Sequence, residues 1–364
     1  MESSQNKEIW IFLSHSNEDY EKVRRVRNFL EEMNTRPLMF FLKCLNDDEE
    51  IDSLIKREIE ARTRFILCDS ENARKSNWVA KEIEYITKLH KPYDVIDINS
   101  TEENIKQLIN KYLRKEHLFF SYPNELYAAI DIVAERISKY DFCSSFVVMK
   151  DLVGTNFAKI IKNNIDVSLM TGKFIPILSK FSINSKWQNL ELKAALEHPY
   201  HLDSILPIYL DDISKNYYHE LLHDYDCIDL SNSRIIEVDD PNSPDIPSVS
   251  INLDAGLKHL GDYIVNAILV KLQGWGNLET YAEHFRFGIG FKKNVSEADK
   301  LGNLIVEHWE NIHYGRYING PGPLIRLAYM HKEGKIVSKD MNKAKEYYVD
   351  ASRTWGIWIP PEYQ

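Results

Sequence analysis

Two stretches of the chain each place a serine, a tryptophan and a glutamate at the same mutual spacing. The stretch SNWVAKEIEYI contains Trp78 and Glu82, and the stretch SKWQNLELKAA contains Trp187 and Glu191. A glutamate carboxylate held near a reacting carbon can stabilise positive charge that develops in a transition state. A glutamate on a helix can equally be a solvated surface charge, so the repeated pattern needs an explanation.

The position of Glu82 on its predicted helix bears on this question. Val79, Ile83 and Ile86 fall at i, i+4 and i+7 and predict the face that packs on the core. Glu82 lies on the neighbouring stripe with Trp78, so it borders the core rather than opposing it. A functional carboxylate and a solvated charge both stay open, and Trp78 could line a ligand or simply pack.

Strand and helix patterns alternate along the first part of the chain. The apolar runs IWIFL, PLMFFL and RFILC are typical of buried strands, and helical spacings such as that of Val23, Val26 and Leu30 separate them. Strands that alternate with helices predict a parallel sheet covered on both faces. We therefore expect an α/β fold, in which Asn17 caps the first helix.

A polar cluster follows the first predicted strand. Ser14, His15 and Ser16 lie where this strand meets the next helix. Ligands of open α/β sheets bind at the carboxyl edge of the strands, and a helix N-terminus favours phosphate. The cluster is therefore a candidate substrate-binding segment, although Ser16 or Asn17 could instead serve only as the helix cap. His15 has no identifiable partner carboxylate that would make it a general base.

The opening segment is repeated later in the chain. IFLSHSNEDY aligns with LFFSYPNELY, and the identical pairs are Phe12/Phe119, Ser14/Ser121, Asn17/Asn124, Glu18/Glu125 and Tyr20/Tyr127. Ser14 precedes Glu82 by 68 positions, and Ser121 precedes Glu191 by 70. The order of predicted elements also recurs between these points, which we interpret as a tandem duplication of one α/β unit.

The last part of the chain has a different pattern. YAEHFRFGIGFKKNVSEADKLGNLI and LAYMHKEGKIVSKDMNKAKEYYVDAS each show an alanine- and aromatic-containing helix, a glycine-containing turn and a second helix. The steps from Gly288 to Ala298 and from Gly334 to Ala344 have equal length. This pattern resembles the Sel-like class of tetratricopeptide-related helical repeats over about residues 277–355. Two repeats are fewer than the ~three of a self-supporting array, so we expect the tail to pack on the preceding domain or on another subunit.

The composition narrows the classes of function. The chain has 364 residues and a formal net charge of −10, which argues against a large nucleic-acid-binding surface. No stretch approaches the ~20 apolar residues of a membrane span, and no signal-peptide pattern opens the chain. The 4 cysteines are widely spaced and form no CxxC motif, so neither a metal site nor a disulfide framework is predicted. We expect a cytoplasmic protein.

Two longer stretches carry a family pattern. FLSHSNEDY ends the first predicted strand, and FILCDSENARKSNWVAKEIEY runs from the third strand into the next helix. In these stretches the chain resembles the Toll/interleukin receptor homology (TIR) domains of bacteria, over about residues 7–115 well and 116–273 more loosely. The resemblance implies two tandem flavodoxin-like domains and a helical tail. The expected boundaries are 1–115 for a catalytic TIR domain, 116–275 for a second TIR-like domain and 276–364 for the Sel-like tail.

The resemblance also implies a reaction. Many TIR domains cleave NAD at the bond between nicotinamide and ribose, and their catalytic glutamate follows the tryptophan, which corresponds to Glu82 here. Nicotinamide leaves as a neutral molecule from a cationic ring, so one carboxylate can suffice without a general acid. Water as the nucleophile gives ADP-ribose, and the adenine of the same molecule gives a cyclic product. NAD is thus the expected substrate in an antiphage or stress pathway, no cofactor is implied, and the expected substrate-binding residues are Phe12, Ser14, His15, Ser16, Lys43 and Trp78.

Departures from the family keep other functions open. The segment FLKCLNDDEEIDSLIKREI occupies the position of the family's loop beside the site, where Lys43 could meet a phosphate. The glycine common in that loop is missing from the first copy, whereas the second copy has Gly154. Some TIR domains are non-catalytic adaptors, so an adaptor, or a sensor that binds a nucleotide without cleaving it, stays open. Self-association through TIR domains is expected, together with a protein partner for the tail.

The second copy departs from the first beside the shared pattern. Pro123 stands where the first copy has Ser16, and proline removes a backbone donor from the turn where a phosphate would bind. We therefore expect the first copy to be catalytic and the second to be a degenerate scaffold, or a face that completes the first site. The residues of this degenerate second site are Ser121, Trp187 and Glu191.

Overall fold

The computed structural model describes most of the chain. The described residues are 9–39, 48–147, 157–231, 236–238, 249–251, 260–314 and 320–357. Lys43 and Gly154, which the sequence placed in loops beside the two candidate sites, lie outside these ranges. The chain divides into two compact units. The first unit comprises Met1–Ile130, Ala134–Pro207 and Tyr217–Asp226, and the second comprises Asp131–Val133, Ile208–Asn216 and Cys227–Gln364.

The first unit contains two sets of parallel strands. They are β1 (Trp10–Ser14), β2 (Arg36–Met39), β3 (Arg64–Asp69), β4 (Tyr93–Asp97), β5 (Glu116–Ser121), β6 (Cys143–Val147) and β7 (Gly172–Leu178). The first set forms a sheet of order β2-β1-β3-β4, with every pairing parallel. In the second set, β5 pairs in parallel with both β6 and β7. The predicted α/β fold with parallel strands is confirmed, whereas the assignment of two tandem TIR domains stays a prediction.

Helices alternate with these strands. In chain order they are α1 (Tyr20–Glu32), α2 (Asp48–Ala61), α3 (Glu71–Lys75), α4 (Asn77–Lys88), α5 (Glu102–Arg114), α6 (Tyr127–Ile137), α7 (Phe157–Thr171), α8 (Lys186–Leu196) and α9 (Asp212–Leu222). A short 3₁₀ turn, Asn17–Asp19, precedes α1. The prediction of Asn17 as the cap is wrong, because Asn17 is the first residue of the turn and Ser16 is its N-cap, whose Oγ accepts the Glu18 backbone N–H at 3.3 Å.

The residues of β1 alternate between the two faces of the first sheet. Ile11 and Leu13 pack with residues of α1 and α5, whereas Phe12 packs with residues of α2 and α4. Ile86 of α4 is fully buried in this second cluster, as its predicted stripe required. Each fully buried side chain of this kind stabilises the fold by about 1.5–3 kcal/mol. The stripe therefore anchors α4 on the sheet and leaves Glu82 beside the strand ends.

Buried polar side chains connect the two α/β segments of the first unit. Arg64 of β3 donates to several backbone carbonyls, one of which belongs to Thr171 at the end of α7, at 3.4 Å. Asn164 of α7 is fully buried, and its Nδ2 donates to the carbonyl of Leu89, the C-cap of α4, at 3.3 Å. The second segment therefore holds the far end of the helix that carries Glu82.

Gly172, the first residue of β7, lies against the backbone of β5. A Cβ atom at this position would lie 2.2 Å from the His117 carbonyl oxygen, far closer than a real contact. We expect Gly172→Ala to lower the free energy of unfolding by about 1–3 kcal/mol, because backbone atoms must move apart. Urea unfolding followed by circular dichroism measures this loss. Gly276→Ala is the control, since a Cβ there meets nothing within 4 Å, and equal stability of the two variants would contradict the expectation.

The second unit contains short strands and the helices of the tail. The parallel pair is β8 (Ile208–Tyr209) with β9 (Ile228–Asp229), the antiparallel pair is β10 (Ile236–Val238) with β11 (Val249–Ile251), and the helices are α10 (Leu260–Phe287), α11 (Val295–Tyr314), α12 (Gly322–Glu333) and α13 (Met341–Trp355). Within the described residues, none of the helices combines the length and apolar character that crossing a membrane requires.

The two repeated segments of the tail have equivalent turns. Gly288 and Gly334 both adopt positive φ angles, of 75° and 71°. Asn294 and Asp340 then cap α11 and α13 in the same way, because each side chain accepts a backbone N–H from three residues later at 3.1 Å. The geometry agrees with an internal repeat, and membership of the Sel-like class stays a prediction.

Candidate active site

Glu82 is positioned by the start of α4. Ser76 is the N-cap of this helix, and its Oγ accepts the backbone N–H of Val79 at 3.3 Å. The serine of the repeated motif therefore has a local structural role, since a capping side chain satisfies a backbone donor of the first turn. Counted from this cap, Glu82 falls in the second turn of the helix.

A hydrogen bond joins Glu82 to the first sheet. The Oγ of Ser14, the last residue of β1, donates to Oε2 of Glu82 at 2.6 Å. Ser14 is 1% exposed and Glu82 is 6% exposed, so the alternative of a solvated helix charge is wrong. The fold thus brings together two predicted site residues that lie 68 positions apart, at the carboxyl edge of a parallel sheet.

Burial controls the charge of this carboxyl group. Burial raises the pKa of Glu82 to about 7, while the hydrogen bond from Ser14 acts in the opposite direction. Among the described residues, no cation forms an ion pair with Glu82. A buried carboxylate without a cation costs stability, and perturbed pKa values of this kind cluster at functional sites. A pKa near 7 makes both the ionised and the protonated form accessible near neutral pH, which suits a residue that handles charge or protons.

His15 lies beside Ser14 and is also buried. Its Nδ1 contacts the Leu13 carbonyl oxygen at 3.0 Å, which places the ring proton on Nδ1. Burial lowers the pKa of His15, so the ring is neutral at pH 7 and Nε2 is an acceptor. Nε2 has no hydrogen-bond partner among the described residues. His15 therefore keeps one ring nitrogen free beside the serine–glutamate pair.

The other predicted substrate-binding residues occupy different environments. Trp78 is half-buried against the cluster of α2 and α4, and the Lys81 Nζ lies 4.5 Å from the centre of its ring. Phe12 is fully buried in the same cluster, with its ring 6.2 Å from that of Phe65, a position typical of a core residue. Ser16 is the cap of the 3₁₀ turn. Their contacts with a ligand stay predictions.

Sequence reasoning missed a second polar cluster, centred on Asp19. Its carboxylate accepts hydrogen bonds from Ser70 Oγ at 2.5 Å and from Asn72 Nδ2 at 3.0 Å. Asp19 is buried and Ser70 caps α3, so the cluster joins the starts of two helices at the same edge of the sheet. The serines in SENARKS indicate two helix starts, but their contact with Asp19 depends on the fold.

The segment that carries Ser14 and Glu82 matches a known family. A family model described as TIR domain covers residues 11–113. These residues form a TIR domain. TIR domains include NAD-cleaving enzymes and non-catalytic adaptors, and they commonly self-associate. No curated protein and no solved structure matches the chain.

Beyond the TIR domain, the second α/β segment contains the same serine–glutamate pair. The Oγ of Ser121, the last residue of β5, donates to Oε2 of Glu191 at 2.6 Å. Ser185 caps α8 by accepting the Gln188 backbone N–H at 3.4 Å. Glu191 is 7% exposed, and burial raises its pKa to about 7 against the lowering effect of Ser121. The segment that the sequence assigned to a degenerate site therefore keeps the pair intact.

The surroundings of this second pair differ from those in the TIR domain. Trp187 is 58% exposed, whereas Trp78 is half-buried. Pro123 is the N-cap of the corresponding 3₁₀ turn, Asn124–Leu126, and makes no side-chain cap. Leu126 stands at the position that Asp19 has in the TIR domain, so a carboxylate is missing at that point. The serine–glutamate pair is therefore kept, while the tryptophan, the turn and the charged neighbour around it differ between the copies.

Proposed function

We propose that the TIR domain cleaves NAD at the bond between nicotinamide and ribose, with Glu82 as the catalytic residue. The observation that carries the proposal is the buried Ser14–Glu82 pair, in a domain whose family includes NAD-cleaving enzymes. Ligands of parallel α/β sheets bind at the carboxyl edge, where this pair lies. NAD is the substrate, and the proposal requires no cofactor.

The bond that breaks joins ribose C1′ to the ring nitrogen of nicotinamide. Its electron pair stays with the nitrogen, so nicotinamide leaves as a neutral molecule and positive charge develops on the ribose. The ionised Glu82 carboxylate stabilises this oxocarbenium-like charge, and no general acid is needed. Water then bonds to C1′ and loses a proton to give ADP-ribose, whereas attack by the adenine of the same molecule gives a cyclic product.

Residues next to Glu82 have assisting roles in this proposal. Ser14 holds Oε2 of the carboxylate and so fixes its orientation, while Oε1 stays available for a ribose hydroxyl group. The neutral His15 ring offers Nε2 as an acceptor for a second hydroxyl group. The turn capped by Ser16 leads into α1, and backbone N–H groups at a helix start favour a diphosphate.

A non-catalytic assembly role is the second candidate. Large apolar side chains on α8 and α9 are strongly exposed, which is typical of protein-binding surfaces, and they are Trp187, Leu190, Tyr217 and Leu221. TIR domains that act as adaptors use contacts between proteins and no turnover. Under either candidate we propose self-association through the TIR domain and a protein partner for the helical tail.

Nicotinamide release distinguishes the two candidates. We expect the purified full chain to release nicotinamide from NAD, with ADP-ribose or a cyclic isomer as the second product, as liquid chromatography measures. The rate per molecule should rise with protein concentration if a neighbouring subunit completes the site. No release at any concentration from a folded chain would favour the assembly role.

A further inference from the structure

The second α/β segment keeps a buried carboxylate pair outside the part of the chain that matches the TIR family. We infer that Ser121 and Glu191 form a second binding site for a pyridine dinucleotide, which is held through its ribose hydroxyl groups. The identity of the ligand rests on the function proposed for the first site. This inference replaces the scaffold role that the sequence predicts for the segment.

The two pairs have the same geometry. In each, the serine is the last residue of a strand that is flanked on both sides, and its Oγ lies 2.6 Å from Oε2 of the glutamate. In each, the glutamate lies in the second turn of a helix that a serine caps. The exposed fractions are 6% for Glu82 and 7% for Glu191. Equivalent atoms in equivalent positions offer a ligand the same acceptor.

No contact that Glu191 makes with the described residues requires a charged side chain. Among the described residues its partner is the Ser121 hydroxyl group, and no described cation pairs with it. Another residue satisfies the nearby backbone, because Gln188 Nε2 donates to the carbonyls of Ser121 and Ile177 at 3.1 and 2.9 Å. A buried carboxylate without a cation destabilises a fold. A ligand that uses the charge accounts for its presence.

A second polar atom at this site also lacks a partner. Gln188 is 1% exposed, and its Oε1 has no hydrogen bond to a described residue. The two bonds from Nε2 to carbonyl oxygens fix the orientation of the amide, so Oε1 is an acceptor. Gln188 and Glu191 are three positions apart on α8 and so lie on the same side of the helix. Two neighbouring acceptors suit a vicinal diol, which donates two hydrogen bonds.

The surroundings indicate that this site binds more weakly than the first. Pro123 supplies no backbone N–H at the turn where Ser16 caps the TIR domain's first turn. A diphosphate therefore meets one donor fewer beside Glu191. We expect the site in the second segment to bind the dinucleotide with lower affinity than the site in the TIR domain.

Binding stoichiometry of the full chain tests the inference. The probe is an NAD analogue in which carbon replaces the ring oxygen of the nicotinamide ribose, so that the hydroxyl groups remain and cleavage is blocked. Isothermal titration calorimetry should give two molecules per wild-type chain and one for Glu191→Gln. Loss of a charge-assisted hydrogen bond weakens binding by ~10-fold or more. Glu197→Gln, an exposed change at the C-cap of α8, should keep both sites.

The outcomes separate this inference from the proposed function. One molecule per wild-type chain, lost with Glu82→Gln and kept with Glu191→Gln, would overturn the second site and leave the proposed function standing. One molecule lost with Glu191→Gln and kept with Glu82→Gln would support the second site and contradict the function proposed for the first. No binding to the wild type would overturn both. If Glu191→Gln fails to fold, Ser121→Ala takes its place. It should weaken the second site by a smaller factor, because the carboxylate remains but its orientation is no longer fixed, and unchanged binding would overturn the inference.

Discussion

Replacing Glu82 with glutamine will slow the release of nicotinamide from NAD by about 100- to 1000-fold. Groups aimed at a charge that develops in the transition state contribute roughly this much each. Glutamine has the same length and can still accept the Ser14 hydroxyl group, so the change removes the charge and little else. We expect most of the loss in kcat, with a rise of about tenfold in KM, because the carboxylate stabilises the transition state and also accepts a ribose hydroxyl group of the bound substrate.

Matched variants make this measurement specific. Glu84→Gln alters an exposed glutamate on the same helix and should leave the steady-state rate near that of the wild type. Ser14→Ala should give an intermediate loss, because the carboxylate remains but its orientation is no longer fixed. Removing that hydrogen bond also raises the pKa of Glu82 further, since the bond favours the ionised form. A Glu82→Gln rate within about tenfold of the wild type would place the catalytic group elsewhere.

Much of the arrangement around Glu82 follows from local patterns in the sequence. The stripe that contains Val79 and Ile86 determines which side of α4 packs on the sheet, and both residues are buried. The contact between Ser14 and Glu82 then follows from topology, because the carboxyl ends of parallel strands and the starts of the next helices share one edge. The end of β1 and the start of α4 were each predictable from the sequence, and the fold brings them into contact.

Features that depend on distant packing were not predictable. The stripe pattern placed Glu82 at the border of the core, but only the packed fold shows that 6% of it is exposed. Trp78 and Trp187 share one motif position, yet one is half-buried and the other is 58% exposed. The contact of Asp19 with Ser70 joins residues 51 positions apart that no spacing rule connects.

The prediction of a degenerate second site rested on a local change. Pro123 removes one backbone donor from one turn, which affects phosphate binding there. The Ser121–Glu191 pair depends on different features, namely the end of β5 and the cap of α8, and these are preserved. A substitution in a turn therefore carries little information about a carboxylate on the following helix.

The free energy of unfolding will depend on pH through both buried glutamates. Burial raises the pKa of Glu82 and of Glu191 from 4.5 to about 7. Between these pH values the folded chain keeps protons that the unfolded chain has lost, so stability falls as pH rises through this window. One pKa unit corresponds to about 1.4 kcal/mol, so each ionised glutamate costs roughly 3 kcal/mol above pH 7.

The double variant Glu82→Gln/Glu191→Gln should lack this dependence. Relative to the wild type, we expect its free energy of unfolding to rise by several kcal/mol, up to roughly 6, between pH 4.5 and pH 8, as urea unfolding measures. Other titratable groups are common to both chains and cancel in the difference. The control Glu84→Gln/Glu197→Gln replaces two exposed glutamates, and a double variant that behaves like this control would contradict the raised pKa values.

Stability and activity together distinguish a functional carboxylate from a structural one. If Glu82 held the fold together, its replacement would lower the free energy of unfolding at pH 8 as well as the rate. If Glu82 serves the reaction, its replacement raises that free energy while nicotinamide release falls. The site geometry predicts the second result, because the burial that raises the pKa of Glu82 also makes its ionised form costly to the fold. The ionised Glu82 lowers the stability of the fold because it lies in a buried position, and in that same position its charge acts strongly on the ribose.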